Sequence, residues 1–153
     1  MKIRELSKDE SPPMELLLSA DPSREIVEKY VHKGRCFTAE EDDHVVGVYV
    51  MLPTRPETVE LVNIAVKQIY QGRGIGRKLV MNAIEEAGKA GYKTLEIGTG
   101  NSSLGQLALY QKCGFRITGV DRDFFVKHYT EPIFENGILC RDMVRLSLEI
   151  EAP

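Results

Sequence analysis

Ile75, Leu79, Val80, Ala83, Ile84 and Ala87 recur at the three- and four-residue steps of an α-helix, with charges on the opposite side. This predicts an amphipathic helix over 75–89, with Gly91 as its stop signal. A second such stripe, Ile26, Val27, Tyr30 and Val31, predicts a helix over 23–32, opened by Asp21 as N-cap and Pro22 in the first turn. Ser11-Pro-Pro-Met14 opens a shorter helix through Leu18. A third long helix is expected over 103–113, with Leu104, Leu107 and Ala108 as its buried stripe and Gly114 ending it. Between these lie runs that alternate or are continuously apolar: 2–6, 35–41, 44–52, 59–66, 94–98, 115–120 and a long last one at 139–150. An acidic turn, Glu41-Asp42-Asp43, joins the second and third runs, and Pro53–Glu57 reads as a linker before the fourth. Residues 121–137 are aromatic-rich and irregular.

The resulting order, β-α-α-β-β-β-α-β-α-β-β, predicts one domain over 1–153 of the α/β (α+β) class, with helices on both faces of a mixed sheet. Hydrophobic residues make up 42% and charged residues 28%, a globular balance that excludes a disordered chain. A net charge of −3 without a lysine/arginine cluster speaks against nucleic acid as a partner. No apolar run has the length of a membrane span, and Met1–Ser7 has no apolar leader core, so no membrane association and a cytoplasmic location are expected. Cys36, Cys113 and Cys140 are odd in number and widely spaced, which suits reduced thiols and neither a disulfide framework nor a metal site.

The informative stretch is Gln71-Gly72-Arg73-Gly74-Ile75-Gly76, three glycines in six residues between an apolar strand and an amphipathic helix. Glycines there cost backbone entropy, so something must approach the backbone closely. A helix N-terminus offers unpaired N–H groups and about half a positive charge, which suits a phosphate or diphosphate. The spacing is not that of a P-loop, because no Gly-Lys is followed by Ser or Thr. Nor is it the dinucleotide fingerprint, because the glycines run Gly-x-Gly-x-Gly. A plain connecting turn is the alternative.

Gln71, Gly74 and Gly76 fit the pattern Gln/Arg-x-x-Gly-x-Gly/Ala, and Leu109-Tyr110-Gln-Lys-Cys-Gly114-Phe115 fits Leu-Tyr-x-x-x-Gly-Phe one helix, one strand and one helix later. On these two signatures the chain resembles the GNAT superfamily of acetyl-CoA-dependent N-acetyltransferases, and the likeness extends over essentially all of it. The resemblance implies a three-layer fold around a mixed, mostly antiparallel sheet of about seven strands. It implies acetyl-CoA as co-substrate, an amine acceptor on a small molecule, peptide or protein, direct attack in a ternary complex, and no metal. The pyrophosphate is then expected on Gln71, Gly72, Arg73, Gly74, Ile75, Gly76 and Arg77, with Lys78 adding charge. The thioester arm is expected along Ile64, Ala65 and Val66, where this strand splays from the next.

Tyr110 takes the place of the family's general acid, which protonates the leaving thiolate. Packing is its bland alternative. Glu60 is the candidate base: counting by two puts it on the face of Val62, Ile64 and Val66, an odd place for a carboxylate unless the strand is bulged or opens into a cleft. Its position also resembles that of the base glutamate of the histone-acetyltransferase branch. The alternatives are a rim carboxylate paired to Arg55, an ordered water as base, or Glu57. Where the family often has an asparagine touching the pantetheine arm, this chain has Ser103, with Asn101 two residues earlier, so both are candidates. Asp121, Asp123, Phe124, Phe125, His128, Tyr129, Glu131, Phe134 and Glu135 form the expected acceptor wall, where carboxylates and aromatics suit a cationic amine. The last strand, through Met143, Leu146 and Leu148, is a candidate homodimer edge. A coenzyme A-binding sensor without turnover is the competing function.

Overall fold

The computed structural model describes residues 1–151. Seven strands form one sheet in the order β1-β2-β3-β4-β5-β9-β6, with β1 at Lys2–Glu5, β2 at Arg35–Glu41, β3 at His44–Arg55, β4 at Thr58–Val66, β5 at Thr94–Gly100, β6 at Arg116–Asp121 and β9 at Met143–Glu149. All neighbours are antiparallel except β4 and β5. Helices α1 (Met14–Ala20) and α2 (Arg24–Val31) cover one face through Leu16, Leu17, Val27, Tyr30 and Val31. On the other face lie α3 (Ile75–Lys89) and α4 (Leu104–Lys112), where Ile75, Leu79, Val80, Ala83, Ala87 and Tyr110 pack on Val59, Leu61, Leu95 and Ile97. Leu79 is fully buried, which contributes about 1.5–3 kcal/mol of transfer free energy and fixes the helix on the sheet.

The boundaries of α3 fall where its apolar stripe and flanking glycines put them, with Gly91 in the left-handed region just beyond its end. Several expectations change. Asp21 is not the N-cap of α2; Ser23 is, its hydroxyl accepting from the Ile26 N–H at 3.3 Å. The segment read as a linker is the tip of a hairpin, since β3 continues through Pro53 to Arg55. Pro53 is tolerated because β2 has already ended, opposite Met51, so no partner waits for its missing N–H on that side. In α4 the stripe is rotated: Leu104 is 50% exposed and Ala108 is exposed, whereas Leu107, Leu109 and Tyr110 face inward. The run at 139–150 is not one strand but β8 (Ile138–Leu139) followed by β9. β9 lies between β5 and β6, so both its edges are occupied and Leu146 is buried. The last strand therefore offers no free edge to a second subunit.

The irregular segment also has structure. It holds the short helix α5 (Phe124–His128) and a small hairpin of β7 (Phe134–Glu135) with β8, turned by Asn136 and Gly137, both at positive φ. An Asn-Gly pair between two short apolar-containing runs is a strong hairpin signal, and it accounts for this turn.

Candidate active site

Two departures from regular pairing in β4 create the site. Met51 pairs with Leu61 and Val50 with Asn63, so Val62 is an extra residue opposite β3. This bulge resets the alternation: Val59, Leu61, Ile64 and Val66 face α3, while Val62 and Ala65 face α1 and α2, where the Asn63 amide also bonds. Glu60 thus points to the opposite face from Ile64 and Val66, not to the same one as counting by two suggests. Pairing of β4 with β5 ends at Leu61 and Ile97, next to the bulge. Beyond that point the two strands diverge, as expected for 63–66, and a cavity of about 720 Å³ opens, lined by Val62, Asn63 and Ile64 on one side and Gly98, Thr99 and Gly100 on the other.

Tyr110 forms part of the cavity wall, 3% exposed. Its hydroxyl makes no hydrogen bond to any of the described residues, although Tyr30, Tyr49 and Tyr129 all find partners. A buried phenol with an unused hydroxyl facing a cavity is placed for a ligand and not for packing alone. Burial, and secondarily Cys113, push its pKa well above the ordinary tyrosine value, so it holds its proton at neutral pH.

The glycine segment lies beside this gap. After a single 3₁₀ turn at Gln68–Tyr70, the Gln71 amide donates to the Val66 carbonyl at 3.0 Å and pins the loop to the end of β4. Gly72 and Gly74 adopt φ values of 78° and 80°, a region that side-chain-bearing residues enter at a cost of about 1–3 kcal/mol. Gly74 is the N-cap of α3 and provides no side-chain cap, so the first N–H groups of the helix are left for another acceptor. Ile75 is buried and anchors that turn, while Arg73 and Arg77 are exposed, Arg73 lying over the Tyr70 ring at 5.2 Å. A Cβ on Gly76 would stand 3.4 Å from Leu109, an ordinary contact distance, so the first turn of α3 packs directly against α4. An uncapped helix start, two left-handed glycines and an open strand gap fit a diphosphate with a long amide-bearing arm.

The other candidates separate into two groups. Ile64 and Ser103 line the cavity; Glu60 and Asn101 do not. Asn101 is a structural tie: its Oδ1 accepts from the N–H groups of Arg141 and Asp142, and its Nδ2 donates to the Leu139 carbonyl. Ser103 Oγ donates to Glu135 Oε1 at 2.7 Å, and Ser102 does so at 3.2 Å. Glu60 stands opposite Leu52 and Glu96, and burial first, with Glu96 adding, raises its pKa above the ordinary carboxylate value against the pull of Arg145 and Arg55. Arg55, the expected partner, pairs with Glu96 instead. Ala65 is buried against the α1–α2 layer, and Val66 offers its carbonyl to Gln71.

Sequence reasoning missed one feature. Asp21 collects the hydroxyls of Tyr129 at 2.9 Å and Tyr30 at 3.1 Å, and Tyr30 in turn accepts from Asn63 Nδ2 at 2.8 Å. The network joins the α1–α2 connection, the bulge and the 121–137 segment, and its members Asp21, Asn63 and Tyr129 line the cavity. Its members are up to 108 residues apart, so no local pattern announces it.

The family model for the acetyltransferase (GNAT) family matches residues 2–115. The chain is 62% identical over 136 residues to the uncharacterized N-acetyltransferase YvbK of Bacillus subtilis, covering 89% of this chain and 88% of that protein. It is similar to the solved structure of a Bacillus subtilis acetyltransferase in complex with CoA, with a TM-score of 0.93, 56% identity and coverage of 98% and 99% of the two chains. A GNAT family acetyltransferase from Elizabethkingia anophelis with acetyl-CoA bound superimposes with a TM-score of 0.94 at 46% identity, covering 97% of each chain. Fold, glycine segment and strand gap agree with these likenesses, and the chain belongs to the acetyltransferase (GNAT) family.

Proposed function

We propose that this acetyltransferase passes the acetyl group of acetyl-CoA directly to an amine held in the same cavity, with Tyr110 as the general acid. The observation that carries the reading is that Tyr110, a buried residue, leaves its hydroxyl without a protein partner at the wall of the strand gap. Gln71, Gly72, Arg73, Gly74, Ile75, Gly76 and Arg77 would hold the pyrophosphate at the start of α3. The open edge of Ile64, Ala65 and Val66 would pair with the amides of the arm, with Ser103 next to it. Asn101 acts behind them by fixing the β5–α4 connection to Leu139, Arg141 and Asp142.

The amine nitrogen attacks as the neutral base, since its lone pair forms the new C–N bond. For an amine of pKa about 10.4, deprotonation at pH 7 costs about 4–5 kcal/mol. As the C–S bond breaks, the electron pair goes to sulfur and the Tyr110 O–H supplies its proton; the amine proton leaves to a base. Two routes exist for that proton. Glu60 has the raised carboxyl pKa that suits a base, whereas its place off the cavity lining favours a water chain leading out of the gap. Incubation with acetyl-CoA and a panel of amines, following free thiol, tests the reading. Thiol release that depends on the amine is expected. Binding of acetyl-CoA with no release for any amine would instead identify a sensor.

A further inference from the structure

The wall of the cavity is charged in one sense. Four carboxylates line it, Asp21 and Glu25 from the α1–α2 side and Glu131 and Glu135 from the segment before β9, and none of the lining residues is lysine or arginine. The chain has 20 lysines and arginines, so this exclusion is a property of the place and not of the composition. Asp21 and Glu135 are half-buried, and each is held by neutral hydroxyls: Tyr30 and Tyr129 for the first, Ser102 and Ser103 for the second. Neither makes an ion pair with any described residue. Phe125 and Tyr129, with ring centroids 5.5 Å apart, line the same cavity. The side chain of Tyr110, a residue 3% exposed whose hydroxyl finds no partner among the described residues, independently marks the same cavity as a ligand site.

A carboxylate beside the reacting nitrogen is a poor arrangement for attack. It stabilises the ammonium form, raises the amine pKa and opposes the deprotonation that attack requires. Several carboxylates are useful where a positive charge stays positive throughout the reaction. We infer that the acceptor is a small di- or polyamine, one nitrogen of which is acetylated near Tyr110 while a second, permanently protonated one is held by Asp21 and Glu135. The inference rests on the acetyl-transfer reading and adds the substrate class. A volume of about 720 Å³, shared with the end of the thioester arm, suits such a small molecule.

The test uses three amines of matched length: 1,4-diaminobutane, n-butylamine and 4-aminobutanoate. Binding to the CoA-loaded protein is measured by calorimetry, and thiol release from acetyl-CoA is measured separately. Diaminobutane should bind on the order of tenfold or more tighter than butylamine, with 4-aminobutanoate weakest, because its carboxylate meets the acidic wall. The diamine preference should shrink to about twofold in Asp21→Asn/Glu135→Gln and fall part of the way in the exposed pair Glu25→Gln/Glu131→Gln. Equal affinity for diamine and monoamine in the unaltered protein, or preference for 4-aminobutanoate, overturns the inference whether or not the variants fold. Charge-selective binding without thiol release would overturn the transfer reading and leave the recognition intact. Equal thiol release from all three amines would do the reverse.

Discussion

Gly76 in the first turn of α3 and Leu109 beside Tyr110 in α4 are neighbours: a Cβ on the glycine would stand in ordinary contact, 3.4 Å from Leu109 Cδ2. The two sequence signatures, separated by a helix and a strand, are therefore one packed unit. The helix start that offers its N–H groups and the helix end that carries the phenol are held in fixed relation, so an anion gripped at one end sets the distance of its attached thioester from the other.

Tyr110→Phe should leave acetyl-CoA binding and the unfolding midpoint essentially unchanged, because the hydroxyl has no hydrogen-bond partner among the described residues. Turnover should fall on the order of 10²-fold, the range of a positioned acid. Steady-state kinetics beside a thermal melt separates the two readings. A stability loss with full activity per folded molecule would reduce Tyr110 to packing.

Gly74→Val forces a β-branched residue to φ near 80° or moves the loop. Losing one charge-assisted N–H contact to phosphate, about 1.5–3 kcal/mol, corresponds to roughly 10–150-fold weaker binding of acetyl-CoA. Titration calorimetry measures it, and unchanged affinity would contradict the phosphate assignment.

Glu60→Gln probes a carboxyl whose pKa is raised in the fold. The protonated form is the favoured one there, so the stability it contributes is complete below the ordinary carboxylate range and disappears as pH rises through the folded value. The glutamine variant should therefore melt above the unaltered protein at pH 7 and converge with it near pH 4. If Glu60 is also the base, the pH–rate profile of kcat/KM loses its acidic limb; if water serves, the limb stays.

Asn63→Ala removes the amide that donates to the Leu17 carbonyl at 3.0 Å and to Tyr30 at 2.8 Å, from a side chain nearly out of reach of solvent. The Leu17 carbonyl keeps the Asp21 N–H at 3.1 Å, so the variant loses two hydrogen bonds worth about 0.5–1.5 kcal/mol each and orphans no carbonyl. Urea denaturation should show that loss, and a midpoint shift below about 0.3 kcal/mol would mean that water replaces the amide.

What could be read along the chain and what could not divide by distance in sequence. The helix at 75–89 is legible because its stripe and both flanking glycines are local. The uncapped glycine turn at the start of α3 is legible because three glycines in six residues stand directly before the helix. Counting by two misplaces Glu60 relative to Ile64 and Val66, because a bulge is set by pairing with β3 and does not alter the residue types on either side of it. Asp-Pro before a helix fits a cap, and nothing local shows that Asp21 bonds instead to Tyr129, 108 residues away. The last strand looked like an edge because nothing in 139–150 reveals that β6 will lie outside it.

Val62 has one more consequence. Since it is the surplus residue of β4, removing it would restore simple alternation and still keep Leu61, Ile64 and Val66 directed at one layer and Asn63 and Ala65 at the other. The hydrophobic interior would survive such a shortening, but the strand would run straight, and the reason for it to part from β5 would be gone. A single supernumerary peptide unit thus stands where the room for the chemistry opens, and a chain shortened by that one codon is expected to fold without it.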